Sequence, residues 1–142
     1  MNNTIEVKVA ESKNELNQVF DIRRIVFVIE QKVEEREEYD EFEDTSKHLL
    51  ALIEGKAVGV ARVRRTIKGI KLERFAVLKE ARGKGVGAAL IEEALEMVKE
   101  YDFIYLHAQV QVVDFYQKYG FVKEGDLFVE AAIDHYKMVY KR

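Results

Sequence analysis

No feature constrains this chain more than the run Arg82-Gly83-Lys84-Gly85-Val86-Gly87. Alternate glycines do not continue a strand, and they leave backbone N–H groups unshielded by side chains. Upstream, Lys71–Leu78 reads as a strand; downstream, Val86, Leu90, Ala94 and Val98 recur at helical spacing. The glycines therefore open a helix, whose first turn adds positive partial charge. Such a turn is a cradle for phosphate or pyrophosphate, and Arg82 and Lys84 add full charges to it. A strand-to-helix turn that binds nothing is the competing reading.

Two nucleotide motifs fit poorly. A P-loop needs Ser or Thr after Gly-Lys, and Gly85 follows Lys84 here. Gly83, Gly85 and Ala88 come close to a dinucleotide fingerprint, but the acid expected after the next strand is missing, since Phe103–His107 runs on into Ala108 and Gln109. Too few residues follow Ala88 for a doubly wound sheet, and several strands precede the loop.

The rest of the chain sets the frame. Its 142 residues predict one domain over 1–142, large enough to bury roughly 68–70% of its unfolded surface. There is no Cys, which removes disulfides, thiolate zinc sites and Cys nucleophiles and fits a reducing, cytoplasmic setting. The longest apolar runs, Ile25–Ile29 and Leu49–Ile53, are far too short to span a membrane. Met-Asn-Asn-Thr-Ile-Glu-Val-Lys at the N-terminus has no apolar leader region. A net charge of −3 argues against nucleic acid as the partner.

Ile5–Val9 alternates as a first strand. Ser12 and Glu15 form a capping box for a helix whose inner face holds Leu16, Val19, Phe20 and Phe27, with Arg23 on that same face. Glu34–Asp44 reads as a loop or short helix. Leu49–Ile53 and Ala57–Val63 flank a Glu54-Gly55-Lys56 turn, and Lys68-Gly69 makes a second one. Phe103–Ala108 reads as a buried strand, Val110–Tyr119 as a helix stopped by Gly120, and Phe121–Lys123 and Asp134–Tyr140 as strands. The fold class is α/β (an α+β mixed sheet), with a central twisted sheet of about six or seven strands and helices on both faces.

Arg82-x-x-Gly85-x-Gly87 behind Leu72-Glu73-Arg74-Phe75-Ala76-Val77 resembles the acyl-CoA signature of the GNAT N-acetyltransferase superfamily. Phe115-Tyr116-x-Lys118-x-Gly120-Phe121 resembles the second signature of that superfamily. Arg23-x-x-Val26-Phe27-x-x-Glu30-Gln31, followed by Asp40 and His48, is similar to its small bacterial ElaA/YjcF-like branch, as is Phe128-x-Glu130-x-x-Ile133-x-His135-x-x-Met138. The resemblance covers nearly the whole chain. It implies the acyl-CoA N-acyltransferase fold, acetyl-CoA as co-substrate with no metal, and an amine acceptor. It implies further that the backbone of Phe75, Ala76 and Val77 pairs with the pantetheine arm, which needs a strand neighbour splayed away. The N–H groups of Arg82, Gly83, Lys84, Gly85, Val86, Gly87 and Ala88 would hold the pyrophosphate. Tyr116 takes the position of the family's frequent general acid, and Gln109 stands where many relatives carry Asn. Relatives that pair through edge strands make a homodimer an expectation.

The chemistry suits these residue types. An alkylammonium must shed its proton before it attacks a thioester. Backbone N–H groups stabilise the oxyanion, and a neutral phenol protonates the departing thiolate. With no Cys to carry an acyl-enzyme through sulfur, direct transfer in a ternary complex is expected. Tyr116 is the candidate acid, against simple ring packing. Glu73 is the candidate base, directly or through water, against an ion pair with Arg74 or a neighbour. His107 is a second candidate base, against a hydrogen-bonded core imidazole. His48 and His135 are acceptor-pocket residues or structural contacts, and they are not at metal-ligand spacing. Arg23 on an apolar face needs an anion: Glu30, Asp40, Glu130 or an acidic group of the substrate, unless it snorkels to the surface. The eight carboxylates of Glu34–Asp44 read as a solvated face or, beside the acceptor site, as a lure for a cationic amine.

Three other readings stand beside this one. The fold would also serve as a non-catalytic acyl-CoA sensor or interaction module. The loop would serve NAD. Arg23-x-x-Val26-Phe27 is also similar to acyl-homoserine-lactone synthases, a family of longer chains.

Overall fold

A computed structural model describes residues 4–142, so the first three residues of the leader reading lie outside the described ones. Strand β1 (Ile5–Val9) leads into α1 (Lys13–Arg23), a π-helical stretch Arg24–Glu30 and the short α2 (Glu35–Glu38). Antiparallel strands β2 (Lys47–Ile53), β3 (Lys56–Arg65) and β4 (Ile70–Val77) follow. Helix α3 (Val86–Met97) crosses to β5 (Ile104–Gln109). Helix α4 (Val113–Gln117), then β6 (Phe121–Lys123), β7 (Phe128–Glu130) and β8 (Ile133–Tyr140) complete the order. The strands form one sheet of eight in the order β1-β2-β3-β4-β5-β8-β6, with β7 also on β8.

That is the mixed α/β sheet expected, with one strand more. The addition is β7, joined to β8 by Ala131 and Ala132, both in left-handed backbone at φ 51 and 63. A two-residue turn of that kind normally advertises itself as Asn-Gly or Asp-Gly. The Ala-Ala pair carries no such signal. The helix expected over Val110–Tyr119 is shorter: Val110–Val112 is a 3-10 turn and α4 begins at Val113.

Strand periodicity decides which residues meet which helix. On one face Leu49, Ala61, Leu72 and Leu106 pack under Val86, Leu90, Ile91 and Ala94 of α3. On the other, Leu50, Val60 and Ala76 pack under Val19 and Ile22 of α1 and Val26 and Phe27 of the π-helical stretch. Gly59 sets how closely α3 lies on the sheet, because a Cβ there would stand 2.7 Å from Val86 Cγ1. Helix α1 starts where the capping box predicts: Ser12 Oγ accepts from Glu15 N at 3.1 Å, and the Glu15 carboxylate accepts from Ser12 N at 3.1 Å.

Two irregularities shape the middle of the sheet. The parallel pair β4–β5 holds for three residue pairs only, Ile70–Ile104 to Leu72–Leu106, and then the strands part. Between the pairs Arg62–Glu73 and Val60–Ala76, β3 contributes one residue and β4 contributes two. Arg74 takes up this bulge with φ +57, a conformation that costs a non-glycine residue about 1–2 kcal/mol. The bulge lets the consecutive residues Glu73 and Arg74 serve the same side of the sheet.

Candidate functional site

Where β4 and β5 part, a cavity of about 610 Å³ opens. Its walls are β4 from Lys71 to Val77 and β5 from Leu106 to Gln109, with Tyr116 of α4 between them and the π-helical stretch above. A smaller hollow of about 260 Å³ adjoins it, formed by Gly83, Gly85, Gly87 and Ala88. Val77, Arg82, Gly87 and Phe115 border both. The expected strand splay is therefore present. Ala76 and Val77 pair with β3 alone, so the other edge of Phe75–Val77 offers its backbone groups to the cavity.

The hollow has the form of an anion cradle. Gly85 caps α3 at φ +88, and no side chain caps the helix's first N–H groups. The nearest atom to a Cβ at Gly85 would be Ile5 Cδ1 at 3.8 Å, so a side chain there would stand in the open cradle. Arg82 crosses its mouth: Nε donates to Val77 O at 3.0 Å and Nη2 donates to both Glu30 oxygens at 2.9 and 3.0 Å. On the opposite wall Gln109 Nε2 donates to Gln31 Oε1 at 2.8 Å. Glu30 and Gln31 thus tie the π-helical stretch to both sides of the opening. Lys84 is exposed and borders neither hollow.

Tyr116 is buried, with its ring edge-on to Phe75 at 5.7 Å and Phe115 at 5.1 Å. Burial pushes its phenol well above the usual tyrosine range, with no opposing charge. The hydroxyl stays protonated at any physiological pH.

Three residues considered separately in the sequence meet at the cavity. Glu130 Oε1 lies 3.0 Å from His107 Nδ1, and Glu130 Oε2 lies 3.9 Å from His135 Nε2. The hydrogen bond from His107, then the charges around it, pull the Glu130 carboxyl down to about 2 against the effect of burial. An ionised carboxylate only accepts, so His107 Nδ1 carries the proton of that bond. In the neutral ring Nε2 is then the basic nitrogen. His135 Nδ1 donates to Ile133 O at 2.7 Å.

The arginines correct several expectations. Arg23 is fully buried and takes Glu38 and Glu43 as partners, not Glu30, Asp40, Glu130 or a substrate. Its Nε donates to Glu38 Oε2 at 2.7 Å, and Nη1 and Nη2 donate to Glu43 at 2.8 Å each. Arg23 does not line the cavity. His48 does not reach it either. It is buried against Phe20, its Nε2 bonds Glu43 O at 2.9 Å, and desolvation lowers its pKa, so it is a neutral structural imidazole. Glu34–Asp44 is more than a solvated face, because Glu38, Asp40 and Glu43 turn inward onto arginines.

Glu73 does line the cavity, but its carboxylate is caged. Arg62 Nε lies at 2.7 Å, Arg64 Nε at 2.8 Å and Lys71 Nζ at 3.3 Å, while Arg74 goes instead to Glu38 O and Asp40. Burial raises the Glu73 pKa, but Arg64's hydrogen bond and Arg62's charge outweigh it and leave it lowered. A carboxylate so stabilised is a weak proton acceptor. Arg62, Arg64 and Lys71 were missed in the sequence. The only signal was basic residues alternating along a strand, and that alternation does not say what lies opposite.

Among the described residues no cluster of three or more His, Asp or Glu is placed to hold a metal ion, and no helix is long and apolar enough to cross a membrane. The model of the acetyltransferase (GNAT) domain family matches residues 10–142. YjcF of Bacillus subtilis, described as an uncharacterized N-acetyltransferase, is 40% identical over 136 residues, which is 92% of this chain and 96% of that protein. The crystal structure of Escherichia coli ElaA superposes with a TM-score of 0.86 at 25% identity, over 97% of this chain and 100% of that one. An acyl-CoA N-acyltransferase from Pseudomonas aeruginosa superposes with a TM-score of 0.84 at 28% identity, over 97% and 99%. Splayed strands, a glycine-capped helix and a family match over residues 10–142 coincide in one molecule, an acyltransferase that belongs to the GNAT acetyltransferase family.

Proposed function

We propose that this acyltransferase moves an acetyl group from acetyl-CoA to a primary amine by direct transfer in a ternary complex. The observation that carries the reading is the free edge of Phe75–Val77, which opens onto a cavity holding both a protonated phenol and a carboxylate-held imidazole. Acetyl-CoA supplies the acetyl group as a reactive thioester. The free edge suits the pantetheine amides, which add to it as a strand would. The N–H groups of the loop from Arg82 to Ala88 and the uncapped end of α3 suit the pyrophosphate. Backbone N–H groups along the same edge serve the oxyanion.

Proton handling falls to three side chains. His107 Nε2 takes the proton of the acceptor ammonium, and Glu130 holds the ring in place. Tyr116 gives its proton to the departing thiolate. The geometry thus favours His107 over Glu73 as the base. The chain has no Cys to carry an acyl-enzyme through sulfur.

Thiol release from acetyl-CoA, followed across a panel of primary amines, tests the reading. Gly85→Glu places an L residue in left-handed backbone and a carboxylate in the cradle. It should weaken acetyl-CoA binding in calorimetry at least tenfold, about 1.4 kcal/mol, while the melting curve stays cooperative. Tyr116→Phe should leave that binding intact and lower kcat by about 10²-fold. Tight CoA binding with no thiol release for any amine would replace catalysis with the sensor reading.

A further inference from the structure

One part of the cavity has no role in the chemistry above. Beyond His107, toward the start of β4, the floor carries Arg64 and Lys71. Arg62 beside them is matched by Asp40, whose two oxygens receive Nη1 and Nη2 at 2.8 Å each. Arg64 and Lys71 share the single carboxylate of Glu73 with Arg62 Nε. Lys71 makes one contact with it at 3.3 Å. Arg64 uses only Nε, lies over the Phe42 ring at 4.1 Å, and keeps both Nη groups without a hydrogen bond among the described residues. The side chains of Arg64 and Lys71 are only 15% and 12% exposed. The Arg64 fork therefore opens onto the cavity, where a partly enclosed cation attracts an anion more strongly than one on an open surface.

The neighbouring acids do not supply it. Glu130 feels the charge of Lys71 but spends its hydrogen bond on His107, Asp40 is divided between Arg62 and Arg74, and Glu37 stands exposed at the rim. The walls give the site a direction. Lys71 pairs in register with Tyr105, and Arg64 with Lys71. His107 lies two residues further along β5, which is about 7 Å of strand. Tyr116 and the free edge of β4 lie beyond it. The cavity therefore presents, in order, the thiol end, the imidazole that receives the amine's proton, and a two-cation pocket.

We propose that the acceptor is a small amino carboxylate, its amine at His107 and its carboxylate held by the open fork of Arg64 and the ammonium of Lys71. The amine half of this assignment rests on the acetyl-transfer reading above; the anion pocket does not. A guanidinium with both Nη groups free is the natural bidentate partner of a carboxylate.

The test pairs ω-amino acids with alkylamines of the same length, 4-aminobutyrate against n-butylamine among them. The expected result is a kcat/KM at least tenfold higher for the acid, falling toward parity as salt is raised. In Arg64→Gln and, independently, in Lys71→Met, the ratio of acid to alkylamine should fall toward one. Melting temperatures check that each variant is folded. Calorimetry of 4-aminobutyrate in the presence of CoA supplies a readout that needs no turnover. Equal kcat/KM for acid and alkylamine would overturn the proposal and leave acetyl transfer standing. No transfer to any amine, with 4-aminobutyrate binding that Arg64→Gln abolishes, would keep the anion pocket and sink acetyl transfer. Absence of both transfer and binding would overturn both.

Discussion

Replacing Arg62 with methionine should destabilise the protein by about 3–5 kcal/mol, read as a lower urea midpoint. Its guanidinium is 1% exposed and bonds Glu73 at 2.7 Å and Asp40 at 2.8 Å twice, with Glu43 at 3.0 Å. Methionine fills much of the volume but leaves three carboxylates short of a cation in a half-dry setting. Small domains have about 5–15 kcal/mol in total, so the loss is a large fraction. Arg62→Lys should recover only part of it, because an ammonium lacks the fork that serves Asp40 and Glu73 together. An unchanged midpoint for Arg62→Met would show that the network adds nothing to folding.

The same network sets the response to acid. Burial raises the pKa values of Asp40, Glu43 and Glu73, but the arginines outweigh it and leave all three below their ordinary values. Acids lowered in the folded state stabilise it above their unfolded pKa, roughly 3.9–4.3, and lose that contribution as pH falls through the folded values. Glu38 runs the other way, since burial leaves it raised despite Arg74 and Arg23. Stability should therefore fall away below about pH 4. In Arg62→Met the loss should begin at higher pH, because Asp40 and Glu73 have lost a cation. Urea midpoints taken across pH 3–7 would show it.

His107→Asn should lower kcat/KM by about 10²–10⁴-fold at neutral pH. The imidazole accepts a proton only when neutral. The groups that face it are Glu130 and Phe128 from β7, Tyr105 on its own strand, Lys137 and His135 from β8, and Lys71 from β4. Glu130→Gln keeps the shape and removes the charge, and should cost a smaller factor than His107→Asn. If His107→Asn keeps its rate, the proton goes elsewhere, and a water, or Glu73 despite its cage, becomes the base.

Legibility in the sequence tracked the range of the interaction. Ser12 and Glu15 announce α1 because a capping box closes within one turn. Gly85 announces the cradle because its left-handed φ and the helix behind it are properties of adjacent residues. Tyr116 was found through its motif, since Phe-Tyr-x-Lys-x-Gly-Phe is contiguous. Arg23 could be marked as needing an anion, but Glu38 lies 15 residues away, and which acid turned inward depended on how Glu34–Asp44 folds over α1. Arg62 and Asp40 are 22 residues apart, and His107 and Glu130 are 23. These meetings are decided by strand register, by the bulge at Arg74 and by a two-alanine turn without a sequence signal. A shift of one residue in any of those pairings would send the same side chains to the opposite face. The chain by itself determined the glycine loop, the starts of α1 and α3 and seven of the eight strands, because those follow from local backbone preference and periodicity. Only the assembled sheet decided which carboxylate meets which cation and which imidazole is free to act, because charge pairing at a few ångströms is a property of register rather than of composition.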